Sequence, residues 1–548
     1  MPNRTGKRHR GATSPPQCHD PPWTAGCHPT LHCGKFRFAE SHRSLARLQP
    51  LNCTGSRLPE CLMLILNLTR SRRDGDTLTE QIVAGIAALV EQRALRAGTA
   101  LPSVRRFAQH HHVSTFTVAE AYGRLTALGY LAARPGSGYT VAHRHAPAGR
   151  ARAPHWEAPG LNAAWLLSDV FADHSVPIKA GAGWLPGDWL NEEGLHQAMR
   201  ASARVPAAQL SGYGHPYGFA PLREHIAAGL GQYGIPLQAQ QVVLTQGATQ
   251  ALDLVVRTLL RAGDTVLVES PCYCNLLQIL RLAGLRVVGV PRSAAGLDTD
   301  ALDDAIRAHA PRALFINTVL QNPTGASLSS MNAFRVLQLA EQYRLLVVED
   351  DIYRELAPAG SPMLAAMDGL SQVVYINGFS KTITPSLRVG YLAASPDLAK
   401  AFARTKMAVG LTSSEVTERL VYSVLTSGHY GRHVAALAER LRAQQDRVTE
   451  KMEAHGLEVL LRPEGGMFAW ARLNEAAQAR LQASRRGEPL HGNRLATLAL
   501  EHGIWLAPGS YFEPDETDSP WIRFNVATGD APQLWQFFDR LAQAPRAA

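Results

Sequence analysis

The stretch VVYINGFSK, Val373–Lys381, closes a short β-rich apolar run on a lysine. Lysine is scarce in this chain, seven residues against 48 arginines. A guanidinium is effectively never deprotonated, whereas an amine can be, so a lysine kept here suits Schiff-base chemistry that arginine cannot perform. Working outward, similar apolar runs recur: QVVLTQG, DTVLVES, LRVVGVP, ALFINTV and LLVVED before it, RVGYLAA after it. Amphipathic helical segments separate them. That alternation predicts a mostly parallel, doubly wound α/β sheet with helices on both faces. In such sheets ligands sit beyond the carboxyl ends of the strands, so the polar residues that end each run are the candidate site.

Those ends are chemically pointed. QGATQ, Gln246–Gln250, leads into a helix whose free N–H groups favour an anion such as phosphate, a weak signal alone. Asn322, Pro323, Thr324 and Gly325 follow ALFINTV after a short gap. LLVVED ends on two acids, of which Asp350 lies three residues before Tyr353. Ser380 and Lys381 come next, and Arg388 follows seven residues later. Lys400, Lys406 and Lys451 read as surface lysines. Cys272 and Cys274 lack further ligands and read as packing, and Trp184 is either a pocket wall or core.

Toward the N-terminus the texture differs. Residues 77–97 place Leu78, Ile82, Ile86, Leu89 and Val90 on one helical face, ended by Gly98 and Thr99. A second helix starts at Pro102 and Ser103, with Val104, Phe107 and Ala108 inward. After a turn at His112 and Val113, Ser114 is the N-cap of a third helix whose stripe is Val118, Ala121, Tyr122, Leu125 and Leu128, stopped by Gly129. Two short apolar stretches then flank RPGSG, a hairpin tip carrying Arg134. Three helices and a hairpin predict a winged helix-turn-helix.

Charge supports a polyanion partner at this end. Residues 1–62 and 63–150 each carry +6, so the remainder sums to −3 against a whole-chain +9. Residues 1–62 show no apolar period and read as a disordered tail, or as sequence ahead of a true start at Met63. Cys18, His19, Cys27, His28, His32 and Cys33 match no standard zinc-finger spacing, so no metal is expected. Residues 143–173, rich in Ala, Pro, Gly, Arg and His, read as a linker. No run nears the ~20 apolar residues of a membrane span, and none suits a signal peptide, so a cytoplasmic, membrane-free protein is expected. Seven cysteines are too few for a disulfide scaffold.

Two resemblances sharpen this. GTALPSVR (Gly98–Arg105), VSTFTV (Val113–Val118), Ala121, Tyr122 and GSGY (Gly136–Tyr139) resemble the GntR-type DNA-binding domain, here residues 63–142. The resemblance implies that Ser103, Arg105, Ser114, Phe116, Thr117, Arg134 and Gly138 meet double-stranded operator DNA. Thr115 departs from the arginine common there, which leaves the operator open. Residues 174–548 resemble a fold-type I pyridoxal-phosphate aminotransferase. That resemblance implies that Lys381 holds pyridoxal 5'-phosphate as an internal aldimine and Asp350 pairs with the pyridine nitrogen. Tyr353 and Asn322 would bond the ring oxygen, and Tyr273 would stack on the ring. Ala248, Thr249, Ser380 and Arg388 would hold the phosphate, and Arg523 a substrate carboxylate. Tyr213 would reach the phosphate of a neighbouring subunit, which implies a homodimer. Gly378 stands where the family commonly has serine. Together the two resemble the MocR/GabR class of bacterial regulators, in which an amino acid or amine effector is sensed by the cofactor. A working aminotransferase carrying a DNA-binding head, or an interaction protein with a dead pocket, remain as alternatives.

Overall fold

The computed structural model describes residues 46–49, 63–68, 77–134, 138–142, 176–484 and 490–542. The candidate zinc ligands, most of the expected tail, the 143–173 linker and the side chain of Arg134 lie outside the described residues. The chain divides into two compact units, 1–157 and 158–548, a head and a body.

In the head, strands β1 (Ala46–Gln49) and β2 (Met63–Leu66) pair antiparallel, so four residues of the expected tail carry secondary structure. Leu64 and Leu66 are buried in the head core, which therefore starts upstream of the three helices. Helix α1 (Leu78–Glu91) opens on a capping box in which Thr77 and Glu80 bond each other's backbone. It ends six residues before the expected Ala97. Arg93 adopts a positive φ of 58°, and the N–H groups of Ala94 and Leu95 fold back onto Leu89 O, returning Leu95 to the core. Helix α2 (Val104–His111) and helix α3 (Thr115–Ala127) follow, joined through His112 at φ 52°. Ile82, Ile86, Leu89, Phe107, Ala108, Val118, Ala121, Tyr122 and Leu125 form the shared core. Leu128, expected in that stripe, is 57% exposed, because as C-cap residue it leaves the buried face. Strands β3 (Leu131–Arg134) and β4 (Gly138–Val141) form the hairpin, and Gly98–Leu101 bonds along the outer side of β4.

The body is built on an eight-stranded sheet of β5 (Val242–Thr245), β6 (Thr265–Ser270), β7 (Arg286–Ser293), β8 (Gly296–Leu297), β9 (Ala313–Ile316), β10 (Leu346–Asp350), β11 (Val373–Gly378) and β12 (Gly390–Ala393). Its order is β5-β12-β11-β10-β9-β6-β7-β8. All seven expected runs are strands. β7, β6, β9, β10 and β11 pair in parallel, while β12 is antiparallel to both neighbours. Only residues 379–389 join β11 to β12, too few for the crossover that a parallel return requires. Alternate residues enter two separate cores. Leu244, Leu314, Val347 and Tyr375 face the helices Ala220–Gln232, Thr299–His309 and Ser330–Tyr343. Val243, Phe315, Val348 and Ile376 face Ala248–Leu259, Cys274–Leu282 and Pro396–Gly410. A second, antiparallel sheet of β13 (Leu457–Val459), β14 (Phe468–Leu473), β15 (Ala507–Pro508) and β16 (Trp521–Asn525) packs with the long helix Tyr430–Ala454. No described helix is long and apolar enough to cross a membrane.

Candidate functional site

The ends of β10 and β11 place Asp350 and Lys381 at the floor of the body site. Lys381 Nζ donates to Gly183 O at 2.7 Å and lies 5.9 Å from the Tyr353 ring centre. Burial pushes its amine down to about 8, and Arg523 and Arg388 add to that while Asp350 opposes it. The lowered amine is nearer its neutral, nucleophilic form at neutral pH than an ordinary lysine is. Burial pushes Asp350 up to about 6, against the pull of the Ile352 N–H (3.4 Å) and of Lys381. The adjacent acid has a different partner. Asp351 is bonded by Arg354 at 2.6 Å, and Arg354 also donates to Ser361 O and Pro362 O. Asp350 is thus the acid coupled to Lys381, and Asp351 is structural.

A second part of the site is a cradle of close backbones. Gly247, at φ 80°, is the N-cap of the helix whose first residues are Ala248 and Thr249. Their N–H groups have no intrahelical acceptor and aim the positive helix end outward. Arg388, itself at φ 51°, reaches over this turn to Gln246 O. A Cβ on Gly247 would stand 2.8 Å from Arg388 Nη2, and one on Gly390 would stand 2.6 Å from Gly247 C. At Gly378, paired with Gly390 in the sheet, a Cβ would meet Gly390 Cα and Val389 O at 3.3 Å. The missing serine at 378 therefore coincides with tight packing of β11 on β12. Ser380 is half-buried beside Lys381, and Arg388 is exposed at the rim.

Arg523 on β16 supplies the third part. It is 2% exposed, its guanidinium held between Phe468 (4.7 Å) and Phe512 (4.8 Å). Nη1 donates to Asn322 Oδ1 at 2.8 Å and Nη2 to Gly181 O at 2.7 Å, while Nε is buried without a partner. Among the described residues Arg523 makes no ion pair. A buried cation without a counter-charge is costly, and a carboxylate is the ligand that removes the cost. Asn525 clamps the same loop by donating to Ala182 O and Trp184 O. Trp184 stacks on Trp505 at 6.1 Å inside a buried aromatic cluster. Tyr353 is buried edge-on to Phe468, and Tyr273 receives a hydrogen bond from Asn275 at 3.1 Å. Cys272 and Cys274 are buried free thiols, pushed up by desolvation. Tyr213 is not brought to this set and stands 88% exposed.

Several residues that hold the site are absent from the sequence reading. Glu269 and Arg292 form a buried ion pair; Arg292 also donates to Asn317 O (2.8 Å) and Ala326 O (2.9 Å), and Glu269 accepts from Asn317 N. Asn317 in turn donates to Asp350 O, and Gln321 to Pro271 O at 2.7 Å. This network ties the Asn322 loop to the segment carrying Tyr273 and to the strand end carrying Asp350. The only linear signal was polar residues inside apolar runs.

In the head Ser103, Arg105, Ser114, Phe116 and Gly138 are exposed and Thr117 is partly so. Ser103 caps α2 through Arg106 N, and Ser114 caps α3 through Thr117 N at 3.0 Å, with its hydroxyl also 2.7 Å from that of Thr117. Arg105 and Gly138 are exposed, and Phe116 is 77% exposed.

Comparison with known proteins agrees with both units. Residues 177–541 match the family Aminotransferase class I and II, and residues 78–141 match Bacterial regulatory proteins, gntR family. The HTH-type transcriptional regulator YdcR of Escherichia coli is 29% identical, over 86% of this chain and 96% of that protein. The probable rhizopine catabolism regulatory protein MocR of Rhizobium meliloti is 30% identical, over 70% and 78%. The 2-aminoadipate transaminase of Thermus thermophilus is 32% identical, over 67% and 90%. Among solved structures, LysN, the alpha-aminoadipate aminotransferase from Thermus thermophilus complexed with N-(5'-phosphopyridoxyl)-L-leucine, aligns with a TM-score of 0.61 at 27% identity, covering 69% and 93%. The chain belongs to the aminotransferase class I and II family and carries a GntR-type helix-turn-helix head, the architecture of MocR-type transcriptional regulators.

Proposed function

We propose that this protein is a cytoplasmic, sequence-specific DNA-binding regulator that uses pyridoxal 5'-phosphate to sense an amino compound at Lys381. The carrying observation is the pairing of a depressed lysine amine with a buried, uncompensated arginine. Lys381 is poised to react with a carbonyl, and Arg523 with Asn322 presents a fork for a carboxylate. The remaining residues fit the cofactor. Ala248, Thr249, Ser380 and Arg388 would hold its phosphate, Asp350 its ring nitrogen, Tyr353 and Asn322 its ring oxygen, and Tyr273 its face. When bound, the cofactor supplies an aldehyde with which primary amines condense, and an electron-withdrawing ring.

This chain's own groups then do the sensing. An incoming amine would compete for the position of the Lys381 amine, and its carboxylate would take the place of Asn322 Oδ1 and Gly181 O at Arg523. An amino acid is favoured over a plain amine because Arg523 is present. The body's state shifts by the ligand's differential affinity for two arrangements, on the order of 1–3 kcal/mol. The head's Arg105, Arg134, Phe116 and Gly138 would change their hold on double-stranded operator DNA. A homodimer is supported by exposed Tyr213 and by the exposed apolar residues Met407, Val409, Leu411 and Val416, which flank the Ser413–Glu415 stretch that Gly214 packs on. Relatives named as transcriptional regulators, matched along most of their length, support the regulatory reading.

The test is the absorbance spectrum of the purified protein and of Lys381→Ala while amino acids are added singly. A band near ~420 nm, absent from the variant and shifted by one compound, is expected. No band with added cofactor would overturn the reading. A second reading, an active aminotransferase with a DNA-binding head, is favoured by the intact Asp350–Lys381 pair and would show repeated turnover with a 2-oxo acid.

A further inference from the structure

Lys406 is 1% exposed, unlike the surface lysine its sequence context suggests. It lies on the helix Pro396–Gly410, and its Nζ donates to Leu244 O and to Ser413 Oγ, both at 2.8 Å. Ser413 donates to the carboxylate of Glu418, whose other oxygen accepts from Phe219 N at 2.8 Å. Among the described residues Lys406 makes no direct ion pair, so Ser413 relays between ammonium and carboxylate. Burial pushes the Lys406 amine down to about 8 and raises Glu418. An arrangement this costly needs a reason, because an apolar core would pack here at less expense.

Its three contacts bracket one segment, Gly214–Phe219. Leu244, at the end of β5 leading to the Gly247 turn, accepts from Lys406 and donates its own N–H to Tyr217 O at 2.8 Å. Gly218, at φ 95°, passes so close to Leu244 that a Cβ would stand 2.5 Å from it. Phe219 is held by Glu418, and Gly214 packs on Ser413 O, where a Cβ would lie at 3.4 Å. Arg223 adds a bond to Gly218 O at 3.1 Å. The residue this clamp presents is Tyr213, 88% exposed, next to Gly214, which packs on the Ser413–Glu415 stretch between the helices Pro396–Gly410 and Glu415–Leu425.

We infer that Lys406, Ser413 and Glu418 form a buried positioning unit that fixes the Tyr213 arm for a cofactor site on a second copy of the chain. The inference rests on the proposed cofactor and dimer. It makes Lys406 act in trans: its loss weakens the site of the other subunit and spares its own.

Mixed dimers test this. Lys406→Met and Lys381→Ala chains, differently tagged, are co-expressed and the mixed species purified, and cofactor affinity is titrated by the ~420 nm band. Lys406→Met homodimers should bind cofactor about 10–100-fold more weakly than wild type, the loss of one or two charge-anchored contacts. Mixed dimers should regain wild-type affinity in their one lysine-bearing site, because its Tyr213 arm comes from the chain with intact Lys406. Mixed dimers that titrate like the Lys406→Met homodimer would overturn the inference, as would wild-type affinity in that homodimer or a monomeric wild type. Ser413→Ala, a milder change, should lower affinity in the same direction and serves if Lys406→Met fails to fold. A wild-type protein without any band would instead remove the cofactor reading beneath it.

Discussion

In the head, Phe116 stands 77% exposed and Arg105 projects into solvent, on a segment where positive charge accumulates. In the body, Arg523 is 2% exposed, Lys381 is pushed down to about 8, and Asp350 is pushed up to about 6. The two units use charge in opposite regimes. An exposed cation loses little by waiting for phosphate and releases it when salt rises. A buried cation is strained until its ligand arrives, and it returns that cost as affinity and discrimination. On the proposed function, a small amino compound would bind the body tightly while the head's grip stays easily tuned.

The largest effect is expected on removing the Lys381 amine. Lys381→Ala should abolish covalent cofactor attachment, seen as loss of the protein–cofactor mass adduct after borohydride reduction, while head binding to DNA persists. Next in size, Arg523→Met should weaken an amino acid effector about 100-fold, or ~3 kcal/mol, the worth of a charged bidentate contact. Effector titration of the absorbance band measures this, and a change below threefold would place the carboxylate elsewhere.

Smaller effects probe the cost of burial itself. In the cofactor-free protein, Lys381→Met should raise stability by ~1–3 kcal/mol below about pH 8. The sign follows from the lysine's depressed value in the folded state. Below about 8 the native protein carries the full penalty of a desolvated ammonium; as pH rises from there toward the ordinary 10.5 the penalty fades, and the gain with it. Urea unfolding at two pH values measures the difference.

On the head, Arg105→Ala should weaken DNA binding about 10-fold and lower the salt slope by ~1, leaving the body's spectrum unchanged. Ser114→Ala should cost about 1 kcal/mol of head stability through its lost cap, whereas Ser114→Asn should not. Thermal unfolding of the full chain, followed at the head transition, distinguishes them.

How much of this was legible in the sequence follows the range of each interaction. Local signals carried the seven strands, the Ser114 cap and the short helices, because periodicity and capping act over a few residues. They overran at Ala97, since the left-handed Arg93 returns Leu95 to a head core that also holds the distant Leu64, Leu66, Leu131 and Val141. They also misplaced Leu128, whose exposure is decided by where the helix ends. At the site, the three-residue gap to Tyr353 pointed to Asp350 over Asp351; in the structure Asp351 is bonded by Arg354. The Glu269–Arg292–Asn317 network and buried Lys406 join residues far apart in the chain, which no linear pattern records.

Fluorescence anisotropy of a labelled operator fragment tests whether an amino compound at Lys381 changes the head's hold on DNA. Binding is titrated with wild type and with Lys381→Ala, each with and without the compound that shifts the absorbance band. An affinity change of about 5–150-fold is expected in wild type and none in the variant. Equal affinities in wild type, with the band fully shifted, would contradict it.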